Sequence, residues 1–200
     1  MSFRINLHFL LWNVGLAKAE TQTTEAEREC IVKHATGKSR LAEIGVWHGV
    51  TTSRIRRVMC PDGTLFAVDP FPKGKLGFSV QRVIAQGEVN RISNGNVIFL
   101  RMKGTDAASS LSGEQLLEFV FIDGDHSYEG LRLDWTDWSK LLSDDGVIAL
   151  HDSRSTAARP IDGAGSVRFT EEVILNDPGF EVIEAVESLT VLKRARPSQG

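Results

Sequence analysis

Short runs of apolar residues, each closed by a glycine or an ionisable group, alternate along this chain with longer segments whose apolar residues recur every three or four positions. The runs cover residues 40–44, 65–68, 97–102, 119–122 and 147–150. A continuous apolar run of this length reads as a strand buried on both faces, as in a parallel sheet. The periodic segments predict helices over 23–35, 51–59, 78–89, 128–142 and 167–175. Gly37 can end the first of these, and Pro61-Asp62-Gly63, Asn94-Gly95-Asn96 and Asp144-Asp145-Gly146 are turn signals. Residues 74–77 and 160–165 read as loops. Leu131, Trp135, Trp138 and Leu142 share one helical face, which is core packing. Two last strands, 180–186 and 189–193, meet at Glu187-Ser188, a connection short enough for an antiparallel hairpin.

Strands alternating with helices predict an α/β fold. The sheet has seven strands and is mostly parallel, with helices on both faces, right-handed crossovers and the C-terminal antiparallel hairpin at one edge. Residues 1–200 are expected as one domain, with 1–22 as a helical N-terminal extension. Leu7, Leu10, Leu11 and Val14 recur there at helical spacing. The competing expectation is a secretory leader, outlined by Arg4, the apolar run and Ala17-Lys18-Ala19; one basic residue and the polar positions within the run speak against it. The run is too short to span a membrane.

A net charge of -3 gives no electrostatic argument for nucleic acid or an anionic membrane. Cys30 and Cys60 are too few for a disulfide framework and lack zinc-site spacing, so both are expected as reduced thiols in a cytoplasmic protein.

The chemistry-bearing residues stand where the strands end. In open α/β sheets ligands bind outside the C-terminal ends of the strands. There the chain carries Glu43-Ile44-Gly45-Val46-Trp47-His48-Gly49, then Asp69, then Asp123-Gly124-Asp125-His126, then His151-Asp152. Glycine after the first strand lets the backbone turn sharply and approach a ligand. The dinucleotide fingerprint fails, because Trp47 and Val50 occupy its second and third glycine positions, and no phosphate-loop Gly-Lys follows. Asp125 and His126 could act on a proton or cap the helix that follows. Trp47 and His48 could flank a ligand or simply pack. Arg154 and Arg159, in the loop past the fifth strand, could meet an anionic substrate, but solvation is the expected role.

The acidic-x-Gly-x-x-x-Gly segment, Asp69 and the closing hairpin together resemble class I S-adenosylmethionine-dependent methyltransferases, whose sheet is Rossmann-like. The block from Ile122-Asp123-Gly124-Asp125-His126-Ser127-Tyr128-Glu129-Gly130 through Asp134, Trp138, Gly146 and His151-Asp152 is similar to one branch, that of macrocin-type O-methyltransferases and cephalosporin-hydroxylase-like proteins. The similarity covers roughly residues 41–192. It implies O-methylation of a small-molecule or sugar hydroxyl. It implies cofactor contacts from Glu43, Gly45, Gly49, Asp69, Asp123 and, after the third strand, Thr105 and Asp106, with Asp69 on the ribose hydroxyls. It implies Asp125 as general base, with His126 as the other proton acceptor. By position, a divalent metal would fall to Asp123, His151 and Asp152. Relatives often carry two carboxylates where this chain has His151-Asp152, and histidine suits manganese better than magnesium. A cofactor-binding protein without catalysis and an NAD-type oxidoreductase are the alternatives. The shortness of the chain for this branch points to a homo-oligomer that completes the site, or to reduced function.

Overall fold

The computed structural model describes residues 2–74, 77–113 and 116–195, with side chains from residue 7 onward. The strands are β1 (Arg40–Ile44), β2 (Thr64–Val68), β3 (Asn96–Leu100), β4 (Leu117–Ile122), β5 (Leu142–Leu150), β6 (Phe180–Val186) and β7 (Leu189–Arg194). They form one sheet in the order β3-β2-β1-β4-β5-β7-β6. β7 runs antiparallel between β5 and β6, and the other pairings are parallel. The expected α/β class and terminal hairpin are therefore present. The helices are α1 (Ser2–Asn13), α2 (Glu25–Ala35), α3 (Val50–Val58), α4 (Val80–Asn90), α5 (Gly104–Leu111), α6 (Tyr128–Trp138) and α7 (Gly165–Glu172).

β4 explains why the strand signal is a continuous run. Val120 and Ile122 join Leu131, Trp135 and Trp138 in the core beneath α5, α6 and α7. Phe119 and Phe121, on the opposite face, pack with Ile31 of α2 and Ile55 of α3. Successive side chains point to opposite faces, so a strand covered on both sides needs apolar residues at every position. Each such side chain contributes about 1.5–3 kcal/mol on burial.

Two boundaries differ from the sequence pattern. The helix over 128–142 stops at Trp138, and a 3-10 turn, Ser139–Leu141, leads directly into β5. Asp144-Asp145-Gly146 is not a separate turn but a bulge within β5, because Leu117 pairs with Leu142 while Phe119 pairs with Val147. The N-terminal extension also docks differently. Leu7, Leu10 and Val14 are exposed, whereas Trp12 is buried. Trp12 seats over Gly87 of α4, where a Cβ would come within 2.5 Å of the indole, and its Nε1 donates to Glu88 Oε1 at 2.6 Å. Among the described residues no helix is long and apolar enough to cross a membrane.

Strand order reverses between β1 and β4, so the connections after these strands leave to opposite sides and open a crevice at their C-terminal ends.

Candidate active site

That crevice is a cleft of about 620 Å³. Glu43, Gly45, Asp69, Thr105, Asp123, Asp125 and His126 all line it, as the sequence pattern leads one to expect. Gly45 brings the first loop against the end of β4. Its φ is +90°, and a Cβ there would stand 2.0 Å from the carbonyl oxygen of Asp123. Asp69 then fixes the loop: Oδ2 accepts from the amides of Val46 and Trp47, each at 3.1 Å, and Oδ1 accepts from Phe71 at 2.7 Å. Trp47 adopts φ +52°, a left-handed conformation that costs a side-chain-bearing residue about 1–2 kcal/mol. The Asp69 carboxylate offsets that cost. Turn capping and proximity to the cleft coincide at this residue.

Glu43 is 1 % exposed, and its Oε2 has no hydrogen-bond partner among the described residues. Burial holds its carboxyl well above the ordinary range against the nearby Thr52 hydroxyl, and Asp123 and Asp69 add repulsion. A buried carboxyl at a cleft wall with an unused oxygen is suited to a cationic ligand.

Gly49 and Asp106 lie elsewhere. Gly49 caps α3 at φ +73° and packs against α4, where a Cβ would meet the Ala85 carbonyl oxygen at 2.9 Å. Asp106 is exposed on the first turn of α5 and does not line the cleft. Both were expected at the cofactor; Gly49 serves helix packing, and Asp106 serves the helix start. Trp47 lines the cleft, while His48 is buried beneath it, with Nδ1 accepting from the Glu20 amide at 3.1 Å. Burial lowers the His48 pKa to about 4.

The ends of β4 and β5 hold a chain of charged groups. His151, fully buried, places Nδ1 2.7 Å from Asp123 Oδ1. Its Nε2 is 3.4 Å from Glu27 Oε2, an ion-pair distance without an aligned hydrogen bond. Burial opposes charge on this ring, but the Asp123 bond and Glu27 overcome it and raise its pKa to about 10. Glu27 is likewise buried. It closes a capping box with Thr24, and its Oε1 accepts from the Ser188 amide at 3.0 Å and the Ser188 hydroxyl at 2.6 Å. Burial opposes its ionisation too, and the contacts with His151 and Ser188 prevail, lowering its pKa to about 2.

Asp152 is 5 % exposed at φ +49°. Arg159 Nη2 donates to Oδ2 at 2.6 Å, and its Nε stands 2.5 Å from Oδ1, an ion-pair distance without an aligned hydrogen bond. The expected solvation of Arg159 is thus corrected: its guanidinium is the counter-ion of Asp152. His126 stands between the two acids, Nε2 3.8 Å from Asp123 Oδ1 and Nδ1 3.9 Å from Asp152 Oδ2. Its side chain is 37 % exposed, and neither nitrogen hydrogen-bonds to protein among the described residues. Asp125 turns the chain into α6, its Oδ1 accepting from the Ser127 amide at 2.9 Å, while Ser127 is the N-cap.

Glu27 and Arg159 were missed as site residues. The spacing Thr24-x-x-Glu27 is a visible capping-box signature. It places Glu27 at a helix start but says nothing of a histidine more than a hundred residues away.

The strand order and the crevice define a class I methyltransferase fold. Residues 42–153 match the family described as methyltransferase domain, and the chain belongs to that family. It is an S-adenosylmethionine-dependent methyltransferase. Similar solved structures include a Corynebacterium glutamicum protein (TM-score 0.69, 19 % identity, covering 98 % of this chain and 90 % of that one). The O-methyltransferase TomG from Streptomyces achromogenes, involved in tomaymycin synthesis and solved with S-adenosylmethionine, has TM-score 0.65 and 15 % identity over 95 % of this chain and 88 % of its own. A Bacillus cereus O-methyltransferase in complex with S-adenosylhomocysteine has TM-score 0.60 and 17 % identity over 96 % and 91 %. At these identities the likeness is one of fold.

Proposed function

We propose that the cleft binds S-adenosylmethionine and that the enzyme transfers its methyl group to a hydroxyl oxygen of a small-molecule acceptor. The observation that carries this reading is Glu43, a buried carboxyl that lines the cleft and has one oxygen without a hydrogen-bond partner among the described residues. A cofactor bearing an ammonium and a sulfonium supplies the positive charge that such a group lacks. Gly45 lets the first loop close against the end of β4 at the cleft, and the remaining lone pairs of Asp69 suit the ribose hydroxyls. The O-methyltransferases among the similar structures support oxygen as the acceptor atom.

In this scheme His126 takes the proton. The acceptor oxygen attacks the methyl carbon, the carbon–sulfur bond breaks with its electron pair passing to sulfur, and the hydroxyl proton goes to the imidazole. Asp123 and Asp152 flank the ring and stabilise the charge it gains. Asp125 shapes the turn that presents His126, so its expected role as base passes to its neighbour.

A divalent metal at Asp123, His151 and Asp152 does not fit the residues present. Asp123, His126 and His151 do bring one donor atom each within 4.8 Å of one another. However, Asp123 holds His151 Nδ1 at 2.7 Å, and the carboxylates on either side of the ring favour its charged form, which has no lone pair for a metal. Asp152 already accepts a hydrogen bond from the Arg159 guanidinium on Oδ2, and the same guanidinium stands 2.5 Å from Oδ1. Two protein cations, the His151 imidazolium and Arg159, hold the place expected for magnesium or manganese. The reaction is therefore proposed to run without a metal.

The test is to incubate the enzyme with S-adenosylmethionine and a panel of sugar, phenol and alcohol acceptors, with amines alongside, and to locate the methyl group by mass spectrometry. Methyl ethers, lost in His126→Ala with cofactor affinity kept, are expected. Methylation confined to amines would overturn the oxygen assignment.

A further inference from the structure

Cys30 and His34 stand one turn apart on α2, a spacing that puts both side chains on the same side of the helix. Glu184 reaches them from β6, 150 residues beyond His34. One donor atom from each residue, a sulfur, an imidazole nitrogen and a carboxylate oxygen, lies within 4.8 Å of the other two. Cys30 is buried, and His34 and Glu184 are partly open to solvent. None of the three lines the cleft.

A bulge in β6 aims the carboxylate. Phe180 and Val186 bound this strand and, at an even separation, would share a face if it were regular. Phe180 instead packs edge-on against Trp135 of α6, whereas Val186 packs against the cluster that holds Cys30 and Ile31 of α2. The register with β7 shifts between Val182 and Glu184, which is where the strand changes face. Glu184 therefore turns toward α2, and Val182 and Ile183 are left exposed. Apolar burial alone would favour the opposite arrangement. Lys33 Nζ stands 2.8 Å from Glu184 Oε2, and His34 Nε2 stands 2.7 Å from the same oxygen. Unlike Arg159 at Asp152, the Lys33 side chain is 65 % exposed and returns to solvent at little cost.

We propose that Cys30, His34 and Glu184 form a zinc site that ties α2 to the edge of the sheet, with water as the fourth ligand. Thiolate, imidazole and carboxylate together suit a borderline-soft ion in tetrahedral geometry, whereas magnesium and calcium take oxygen ligands. Zinc holds such donors at about 2.0–2.3 Å, so the present spacing closes by side-chain rotation. With its proton on Nδ1, the neutral His34 ring offers the Nε2 lone pair. Burial, and after it the Glu184 carboxylate, push the Cys30 thiol up to about 11; Lys33 acts the other way, and Glu27 adds to the rise. Binding therefore forms a zinc–sulfur bond and releases the thiol proton to solvent. The site escapes a reading of the sequence because its third ligand is so far from the Cys-x-x-x-His pair.

Cobalt(II) occupies zinc sites and reports a thiolate ligand by a sulfur-to-metal charge-transfer band, so it tests this on the reduced, chelator-treated full chain. The wild type should bind one cobalt with that band, and zinc should displace it. Cys30→Ser should lose the band and bind zinc at least about tenfold more weakly, while Cys60→Ser should keep both. Glu184→Gln and His34→Ala should each weaken zinc at least about tenfold as well. Zinc should raise the melting temperature of the wild type but not of Cys30→Ser. Absence of a thiolate band in the wild type would overturn the proposal, whether or not the variants fold. A band that survives in Cys30→Ser would overturn it, and so would unchanged zinc affinity in Glu184→Gln and His34→Ala.

Discussion

Gly45 leaves no direction in which a side chain could grow, because its Cβ position lies 2.0 Å from the Asp123 carbonyl oxygen at φ +90°. Gly45→Ala should therefore separate β1 from β4 at the cleft and cost at least tenfold in S-adenosylhomocysteine affinity by calorimetry, on the order of 1.4 kcal/mol; unchanged affinity would mean that the cofactor does not use this approach. Arg159 acts in another way. Arg159→Met leaves the buried Asp152 carboxylate without its partner and should lower stability by about 1–3 kcal/mol, the exposed part of the pair being screened by solvent. Denaturant unfolding measures this, and a loss below a few tenths would show that Asp152 is solvated instead. At this scale the sequence was legible where chemistry interrupts an apolar run. Asp123 and His126 were visible because four apolar residues stop at them. Arg159 and Glu27 were not, since a loop arginine and a helix acid look like ordinary solvated charges until tertiary contacts place them.

Glu27 joins three elements that are far apart in the chain: the start of α2, the turn between β6 and β7 at Ser188, and the end of β5 at His151. Its contribution to stability has a defined pH window. The Glu27 pKa is lowered from 4.5 to about 2, so its part is fully present above pH 4.5 and is lost as pH falls through about 2. The His151 pKa is raised from 6.5 to about 10, so its part is fully present below pH 6.5 and is lost as pH rises through about 10. Glu27→Gln should thus lower the melting temperature most between these limits and flatten the alkaline limb; a uniform decrease at every pH would indicate lost packing alone. Helix α1 is held by a different device. Gly87→Leu would displace Trp12 and should expose the N-terminal segment to limited proteolysis while cofactor affinity stays within about twofold; unchanged protection would contradict the docking. Elements were legible where one period dominates, as in β1 and β4. The bulge at Asp144-Asp145-Gly146 looked like a free turn because its residues are turn formers, but the pairs Leu117–Leu142 and Phe119–Val147 on either side keep it within β5. The apolar spacing of Leu7, Leu10 and Val14 suggested a buried stripe, but the helix docks through one large aromatic into a glycine gap instead.

Across the whole molecule, parallel order gathers strand ends from separate parts of the chain at one edge of the sheet, and the reversal between β1 and β4 opens the cleft there. This level was the most legible, because alternation of strand and helix admits few topologies. The surroundings of Asp123 were the least legible, because motif position cannot show that His151 Nδ1 stands 2.7 Å from Asp123 and that Arg159 pairs with Asp152. Calorimetric titration with S-adenosylmethionine, first in excess chelator and then with magnesium or manganese restored, tests the central claim most directly. The account predicts saturable one-site binding with the same affinity in all three conditions. Absence of saturable binding, or binding that appears only when a divalent ion is restored, would contradict it.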